Sequence, residues 1–206
     1  MKFLNYLFLI AIILLIIIYL YIDNSYIILP EHIKLKTIND ISSNYYSENI
    51  NKLALTIQNR AKISANKAFE HSLWILTWSE RYNVDYRLVY ALARSEVNNF
   101  NVDFHREKDG YGVMQVLLST AKWFDGGIEA GVLKRPETNY NFGIRFFRYC
   151  LNINNNDLSK AVLQYKRWEH SNDTLDRAKL KSYYKYLLEI MSKEEIEGLN
   201  TLTTDK

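Results

Sequence analysis

Glu96 is the residue of this sequence that is best suited to transfer a proton. It ends the run Ala91-Leu-Ala-Arg-Ser-Glu96, and Leu88, Leu92 and Glu96 recur every four residues, so its carboxyl group falls on the apolar face of a helix. Burial and the negative end of the helix dipole both favour the neutral form of a carboxyl group at this place. General acid catalysis near neutral pH needs such a group, and one buried acid of this kind can cleave a glycosidic bond.

A structural role for Glu96 is the alternative, and the spacing by itself favours it. Glutamates lie on protein surfaces far more often than in cores. A glutamate at a helix end can turn to solvent or pair with a nearby cation, for which Arg94 and Arg106 are the candidates in the sequence. The residues that follow Glu96 are therefore needed to distinguish a catalytic role from a structural one.

A glycine-rich segment follows Glu96 after a short loop. It reads Gly110-Tyr-Gly-Val-Met-Gln115 and leads into Ser119-Thr-Ala121, where Ser119 is predicted to cap a short helix that ends at Gly126-Gly127. Glycines let the backbone approach a ligand closely, and the glutamine amide can both donate and accept hydrogen bonds. The order of acid, turn and Met-Gln pair indicates a groove beside Glu96.

Helices must position these groups, because helical spacing dominates the body of the chain. Asp85 and Asp157 are the predicted N-caps of the helices that carry Glu96 and Tyr165, and the Asn98-Asn99 pair is predicted to end the first of them. Alternating strand patterns are almost absent, so the body is predicted to be all-α. Further apolar faces recur at helical spacing from residue 48 onward and in 69–82, 139–151, 158–168 and 176–191.

The N-terminal segment has the length and composition of a membrane helix. Residues 3–22 are almost all Leu, Ile, Phe and Tyr, and at about 1.5 Å per residue they span a bilayer core of roughly 30 Å. Lys2 precedes them and no small-residue cleavage site follows, which predicts an uncleaved signal-anchor rather than a cleaved signal peptide. The predicted organisation is a transmembrane segment at 1–23, a juxtamembrane connector at 24–47 and a body at 48–206. The chain is expected to cross the inner (cytoplasmic) membrane once, with its body facing the periplasm or cell wall.

Composition argues against several other classes of protein. The net charge is only +3 over 206 residues and no basic run or basic helix face is present, which argues against a nucleic-acid partner. Cys150 is the single cysteine, so no internal disulfide can form, and it falls on an apolar helical face. The four histidines lack the spacing of metal ligands, so neither a metal nor a cofactor is predicted.

Five sequence motifs follow one another in a characteristic order. They are Glu96, Gly110-Tyr-Gly-Val-Met-Gln-Val116, Ser119-Thr-Ala121, Asn139-x-x-x-Gly143 and Ala161-Val-Leu-Gln-Tyr165. Together they resemble the catalytic domain of the soluble lytic transglycosylases, a lysozyme-like family that cleaves peptidoglycan, over about residues 70 to 190. The string from the glycine-rich turn through Ser-Thr-Ala is fairly specific, whereas the Asn-x-x-x-Gly element alone is weak. The resemblance implies a lysozyme-like helical fold and favours the catalytic interpretation of Glu96.

The resemblance implies an enzyme that acts on peptidoglycan glycan strands with one carboxyl group. Glu96 as a neutral acid would protonate the β-1,4 glycosidic oxygen between N-acetylmuramic acid and N-acetylglucosamine, and the sugar's acetamido group would support the developing cation. Ionised Glu96 would then take the proton of the muramyl 6-hydroxyl, which yields a 1,6-anhydromuramyl product without water. Tyr165 would hydrogen-bond near Glu96 and orient it, with a core aromatic as the alternative. The residues expected to line the saccharide groove are Tyr111, Gly112, Met114 and Gln115. For Met114, core packing is the favoured alternative.

The chain departs from the family pattern at five positions. Val97 stands where the family has a serine implicated in substrate contacts. Lys166 and Trp168 replace Asn and Gly of the Ala-Tyr-Asn-x-Gly segment, and Leu118 replaces the proline before Ser-Thr-Ala. Phe100 lies four residues after the acid rather than three, which indicates a one-residue insertion. These changes predict either a divergent member of the family or one with reduced activity, and they leave open the substrate contacts that the family's serine makes.

Two other functions stay open on the sequence. A hydrolase of the same fold would need a base to activate water, and Asp103 and Asp109 are the nearest downstream candidates. A non-catalytic peptidoglycan-binding or scaffold protein of the cell envelope would use the groove only to hold glycan, and the changes at Val97, Lys166 and Trp168 favour it. The sequence identifies no protein partner.

Overall fold

The computed structural model describes residues 43–103, 105–106, 110–166 and 173–201, and its backbone divides into two compact units, Met1–Ser47 and Glu48–Lys206. Most of the first unit, including the predicted membrane helix at residues 3–22, lies outside the described residues. Within the described part of the chain, no helix is both long enough and apolar enough to cross a membrane. The motifs with predicted chemistry all lie in the second unit.

Helices make up most of the described backbone, which confirms the prediction of a mostly helical body. The first helix begins at Ser43, five residues before the predicted start at Glu48. A 3-10 helix, Ala130–Lys134, separates the fourth and fifth α-helices. The α-helices are α1 (Ser43–Ala61), α2 (Ala65–Arg81), α3 (Tyr86–Glu96), α4 (Leu118–Phe124), α5 (Pro136–Ile153), α6 (Leu158–Lys166), α7 (Asp173–Leu187) and α8 (Lys193–Thr201).

A small antiparallel sheet is the feature that the all-α prediction misses. It consists of β1 (His105–Arg106), β2 (Gly110–Tyr111) and β3 (Val116–Leu117), which pair in that order with Tyr111 opposite Val116. Strands of two residues are too short to show the alternation of apolar and polar side chains on which such a prediction depends. The pairing of β2 with β3 closes the glycine-rich segment into a tight turn at residues 112–115.

Helix α3 packs against α2 and, most extensively, against α7. Residues 88–93 are all buried, so protein surrounds the middle of this helix on every side. Asp85 caps the N-terminus as predicted, since its carboxylate accepts a hydrogen bond from the Arg87 amide at 2.8 Å. The helix ends at Glu96, earlier than predicted, because the backbone of Val97 is extended.

A buried ion pair joins α3 to the segment that follows α7. The Arg94 guanidinium lies 3.6 Å from the Glu189 carboxylate, and both side chains are largely buried. The Tyr90 hydroxyl donates a hydrogen bond to the same carboxylate, and burial together with that carboxylate raises the pKa of Tyr90. Arg94 also lies over the ring of Tyr186, at 4.7 Å. Arg94 therefore has its carboxylate partner in Glu189.

Two further helix predictions are partly wrong, and one is confirmed. Asp157 caps α6 as predicted, because it accepts a hydrogen bond from the Lys160 amide at 2.9 Å. Ser119 does not cap α4, since that helix already begins at Leu118, and Leu117 occupies the capping position without a side-chain bond. The helix predicted at 176–191 does not close the fold, because α7 ends at residue 187 and α8 follows it.

His71 connects α2 and α5 to the turn that follows α3. Its buried ring contacts those of Phe100 and Tyr140 at centroid distances of 5.1 and 5.9 Å, and its Nδ1 lies 3.1 Å from the Tyr140 hydroxyl. Burial lowers the pKa of His71 to about 4, and the Lys67 charge adds to this effect while a hydrogen bond with the Phe100 backbone opposes it. The imidazole is therefore neutral near pH 7, where one ring nitrogen donates and the other accepts.

The pH dependence of stability tests the neutral state of His71. Its pKa is about 4 when folded and 6.5 ordinarily, so the unfolded chain binds more protons between these values and stability falls as the pH drops from about 6.5 to 4. For a shift of this size the loss is roughly 3 kcal/mol. We expect His71→Gln to be less stable than the native chain at pH 7 but to lose less stability between pH 7 and 4 in urea unfolding. An equally steep loss in both proteins would contradict the assignment.

Candidate active site

Glu96 is the last residue of α3, and its side chain is 1% exposed. The apolar periodicity that predicts its burial continues into the structure, where Val97 leaves the helix with an extended backbone and a buried side chain. An uncompensated charge at this depth is unstable by several kcal/mol, so a buried carboxylate requires a partner.

Lys166, the last residue of α6, supplies that partner. Its Nζ lies 2.6 Å from Glu96 Oε1 and 3.4 Å from the backbone oxygen of Ser95, and its side chain is 7% exposed. The ammonium group thus contacts both the carboxylate and the C-terminal end of α3, where the helix dipole favours a cation. Of the cations that the sequence places near Glu96, Arg94 pairs with Glu189 instead.

This ion pair opposes the expected neutral state of the acid. Burial and the helix end favour a neutral carboxyl group, whereas an ammonium group at hydrogen-bond distance favours a carboxylate. In the observed geometry Glu96 Oε1 accepts a hydrogen bond from the Lys166 ammonium group, as a carboxylate oxygen does. The carboxylate can serve as a base as it stands, but an acid step requires a proton to arrive.

The Asn139 amide holds the glycine-rich turn in place. Its Oδ1 accepts a hydrogen bond from the Met114 amide at 2.7 Å, and its Nδ2 donates to the backbone oxygens of Tyr111 and Leu133 at 2.7 and 2.9 Å. Asn139 is fully buried near the start of α5. These bonds use both N–H hydrogens and the oxygen of one amide, so the turn, the 3-10 helix and α5 are joined through a single side chain.

Two glycines make this close contact sterically possible. Gly112 has a φ of +66°, and a Cβ added there would lie 2.5 Å from the Asn139 amide nitrogen. Gly143 follows Asn139 by one helical turn on the same face of α5, and a Cβ added there would lie 2.7 Å from the Met114 Cβ. Asn139 therefore binds the backbone of the turn while Gly143 leaves room for its methionine. The Asn-x-x-x-Gly element is the surface on which the turn packs.

The side chains predicted to bind sugar are mostly buried. Met114 is 0% exposed and packs on Gly143, which agrees with core packing, the favoured alternative for this residue. Gln115 is 1% exposed, its Nε2 donates to the Gly112 oxygen at 2.7 Å, and its φ is +49°. Tyr111 is partly exposed. Met114 and Gln115 shape the turn in this structure, and contact of the four residues with substrate stays a prediction.

Tyr165 contacts the turn through its hydroxyl group. The hydroxyl donates a hydrogen bond to the Met114 oxygen at 2.8 Å, and the ring packs against two phenylalanines of α5. Burial raises the pKa of Tyr165 well above its ordinary value, and the nearby Glu96 charge raises it further. The one hydroxyl hydrogen is used on the turn, so an orienting role toward Glu96 stays a prediction. Tyr165 and Lys166, adjacent at the end of α6, bring the turn and the acid together.

Phe100, which lies at the predicted one-residue insertion, adopts a left-handed backbone conformation. Its φ is +54°, and its amide donates to the Val97 oxygen at 3.1 Å, which closes a tight turn. Its ring is buried and lies 6.1 Å from that of Tyr90. A left-handed backbone is unfavourable for phenylalanine, so the packing of the ring has to compensate for it.

Of four other residues with side chains suited to glycan contact or base catalysis, two are exposed and two lie outside the described residues. Trp123 is largely exposed, with its ring 4.8 Å from those of Phe124 and Tyr149. Asp103 is exposed, whereas Trp168 and Asp109 lie outside the described residues. Among the residues that the structure describes, no three His, Cys, Asp or Glu side chains are grouped to bind a metal ion.

Substitution of Gly143 tests the fit between the turn and α5. In Gly143→Ala the new methyl group would meet Met114, so the turn has to shift, at a cost of about 1–3 kcal/mol that outweighs the gain of about 1 kcal/mol in helix propensity. We expect Gly143→Ala to be less stable than the native chain in urea unfolding. The matched control is Gly198→Ala in α8, where nothing lies within 4 Å of the added Cβ and helix propensity acts alone. Equal stability of the two variants would contradict this packing.

Comparison with known proteins agrees with the motifs. None of the curated proteins compared with the chain matches it. Among solved structures, the chain is similar to the 70 kDa soluble lytic transglycosylase of Escherichia coli, with a TM-score of 0.45 and 19% identity over 90% of this chain and 33% of that one, so it spans about a third of that protein's length. A family model described as the transglycosylase SLT domain matches residues 74–185, which is more than half of the chain. The chain therefore belongs to the transglycosylase SLT domain family, as its motifs predict, and the predicted class of enzyme is the class of this family.

Proposed function

We propose that the chain is a membrane-anchored lytic transglycosylase that cleaves the β-1,4 bond between N-acetylmuramic acid and N-acetylglucosamine in peptidoglycan. The observation that carries the proposal is the buried Glu96 carboxyl group at the end of α3, which the last two residues of α6 join to the glycine-rich turn. Membership of the transglycosylase SLT domain family supports the reaction class.

Glu96 acts twice in the proposed reaction. As an acid it gives a proton to the glycosidic oxygen while the bond to C1 of the muramyl residue breaks, and the acetamido group of that sugar supports the positive charge. As a carboxylate it then takes the proton of the 6-hydroxyl, whose oxygen bonds to C1. The product is a 1,6-anhydromuramyl end, and the cycle needs neither water nor a second enzymic carboxylate.

Anchoring to the membrane is proposed from the sequence of residues 3–22. Their length and apolar composition match a single transmembrane helix, and the positive flank at Lys2 favours a cytoplasmic N-terminus. The body would then face the periplasm or cell wall, on the side of the membrane where peptidoglycan lies.

Non-catalytic glycan binding is the second candidate function, and a specific observation favours it. The Glu96 carboxylate is neutralised by Lys166, and Val97 buries an apolar side chain beside it where the family has a serine. A protein that only holds glycan strands needs the shape of the turn but not a free acid. A lysozyme-type hydrolase would need a base to activate water; Asp103 is exposed, and Asp109 lies outside the described residues.

Replacement of the acid separates these functions. We expect Glu96→Gln to release anhydromuropeptides from purified peptidoglycan at least a hundredfold more slowly than the native chain, since general acid–base catalysis contributes about 10² to 10⁴ in rate. Products are measured by mass spectrometry, which distinguishes anhydromuramyl from reducing ends. Glu197→Gln, an exposed carboxylate in α8, is the matched control and is expected to retain native activity.

Each other result has a definite meaning. Cleavage at the native rate by Glu96→Gln contradicts the assignment of the acid. Reducing ends from the native chain indicate a hydrolase. Binding of peptidoglycan without any cleavage by the native chain indicates the non-catalytic function.

A further inference from the structure

The Glu96–Lys166 pair occupies a position where the family pattern has a neutral side chain. Lys166 replaces the Asn of the Ala-Tyr-Asn-x-Gly segment, so a long cation stands where a short amide is expected. Its side chain is 7% exposed and that of Glu96 is 1% exposed, and 2.6 Å separates the charged atoms. Because water is largely excluded from this pair, its electrostatic interaction is stronger than that of a surface ion pair.

A general acid needs a proton, and this contact withholds it. An opposite charge within about 4–6 Å favours the ionised form of a carboxyl group. The ammonium group has a second contact, 3.4 Å from the Ser95 backbone oxygen at the C-terminal end of α3, which does not involve the carboxylate. Lys166 thus has a second hydrogen-bond acceptor available when its bond to Glu96 opens.

We propose that Lys166 is a positioning residue that holds Glu96 as a carboxylate in the substrate-free site, so that the acid step begins only when this ion pair opens and Glu96 takes up a proton. The inference rests on the proposed function, because it concerns the protonation of the acid in that reaction.

The proton balance of the cycle follows from the resting ion pair. Opening of the pair lets Glu96 take one proton from the solvent, and Glu96 returns that proton to the solvent when the pair re-forms; Lys166 stays charged and bonded to the Ser95 oxygen throughout. The acid gives this proton to the glycosidic oxygen, and the resulting carboxylate takes the proton of the 6-hydroxyl as that oxygen bonds to C1. Glu96 is protonated again at the end of the turnover. Proton uptake from the solvent is therefore required when the ion pair opens, and not again for as long as bound glycan keeps Glu96 and Lys166 apart.

Four buried titratable groups of α2, α5, α6 and α7 keep one charge state in the relevant range. Burial raises the pKa of Tyr165 and Tyr183 well above their ordinary values, raises that of Cys150 to about 12 and lowers that of His71 to about 4. All four are therefore neutral between pH 5 and 8. Arg94 of α3 forms a separate ion pair with Glu189, at 3.6 Å.

Removal of the Lys166 charge tests the inference. The initial rate of anhydromuropeptide release at subsaturating peptidoglycan is measured from pH 4 to 9 for the native chain, Lys166→Met, Lys166→Arg and Lys166→Asn. We expect the pH of half-maximal rate on the basic side to rise by about one to three units in Lys166→Met and Lys166→Asn, since a buried acid without a cation keeps its proton longer. A shift of one unit corresponds to a rate about tenfold higher at a fixed pH on that limb. Lys166→Arg is expected to resemble the native chain.

A second measurement does not depend on activity. The ionisation of Glu96 is followed in the substrate-free proteins by ¹³C NMR of glutamate carboxyl carbons, assigned with Glu96→Gln. Its midpoint is expected to move upward in Lys166→Met and Lys166→Asn by the same interval as the rate profile. Lys160→Met, which removes an exposed cation from the same helix, is the matched control and is expected to leave both profiles unchanged.

The two measurements separate failure of the inference from failure of the proposed function. A Glu96 midpoint that is the same in the native chain and in both neutral variants overturns the role of Lys166. Absence of cleavage in every protein, with the midpoint shifted as expected, overturns the proposed function and leaves the ion pair established. If Lys166→Met does not fold, Lys166→Asn decides the result.

Discussion

The buried carboxylate at the end of α3 is the constraint on which the candidate site depends. A charged group with 1% exposure needs compensation, and the compensation comes from Lys166 on α6, 70 residues along the chain. The adjacent Tyr165 fixes α6 to the glycine-rich turn. One end of α6 therefore sets the positions of the acid and the turn relative to each other. Because desolvation offsets much of the attraction in a buried ion pair, we interpret this pair as a determinant of arrangement more than of stability.

The turn itself depends on α5. Its backbone adopts left-handed conformations at Gly112 and Gln115, which are held by hydrogen bonds to the Asn139 side chain and within the turn. The Met114 side chain packs on Gly143 and leaves no room for a larger residue there. Met114 and Gln115, which the motif predicts to bind sugar, thus have a structural role in this chain. They shape the glycine-rich turn, which α6 joins to Glu96. Their burial explains why this segment needs small and specific residue types.

Two of the departures from the family pattern lie beside Glu96. Val97 and Lys166 both change the immediate surroundings of Glu96, the first by removing a hydroxyl group and the second by adding a charge. Phe100, at the predicted insertion, has a left-handed backbone, and its ring contacts those of His71 and Tyr90. The central helix and the turn retain their order while the chemistry next to the acid is altered. The described site keeps the order of the family's motifs and places a cation beside Glu96.

Much of the helical structure could be predicted because its causes are local. The caps at Asp85 and Asp157 are made by side chains that bond to amides two or three residues away, so the residue types suffice to locate them. The strands could not be predicted, since two residues show no period. The sequence predicts too late a start for α4, because Ser119 is a favourable capping residue that the chain does not use.

The sequence by itself determined that Glu96 lies on a buried helical face, and in retrospect it held the same signal for Lys166. Leu158, Val162 and Lys166 recur every four residues, as Leu88, Leu92 and Glu96 do. Periodicity places each charge on the buried side of its own helix, but it carries no information on which buried faces meet. Only the tertiary structure decided that these two charges pair, because the contact depends on the packing of α6 against α5 and α7 and not on any local interaction.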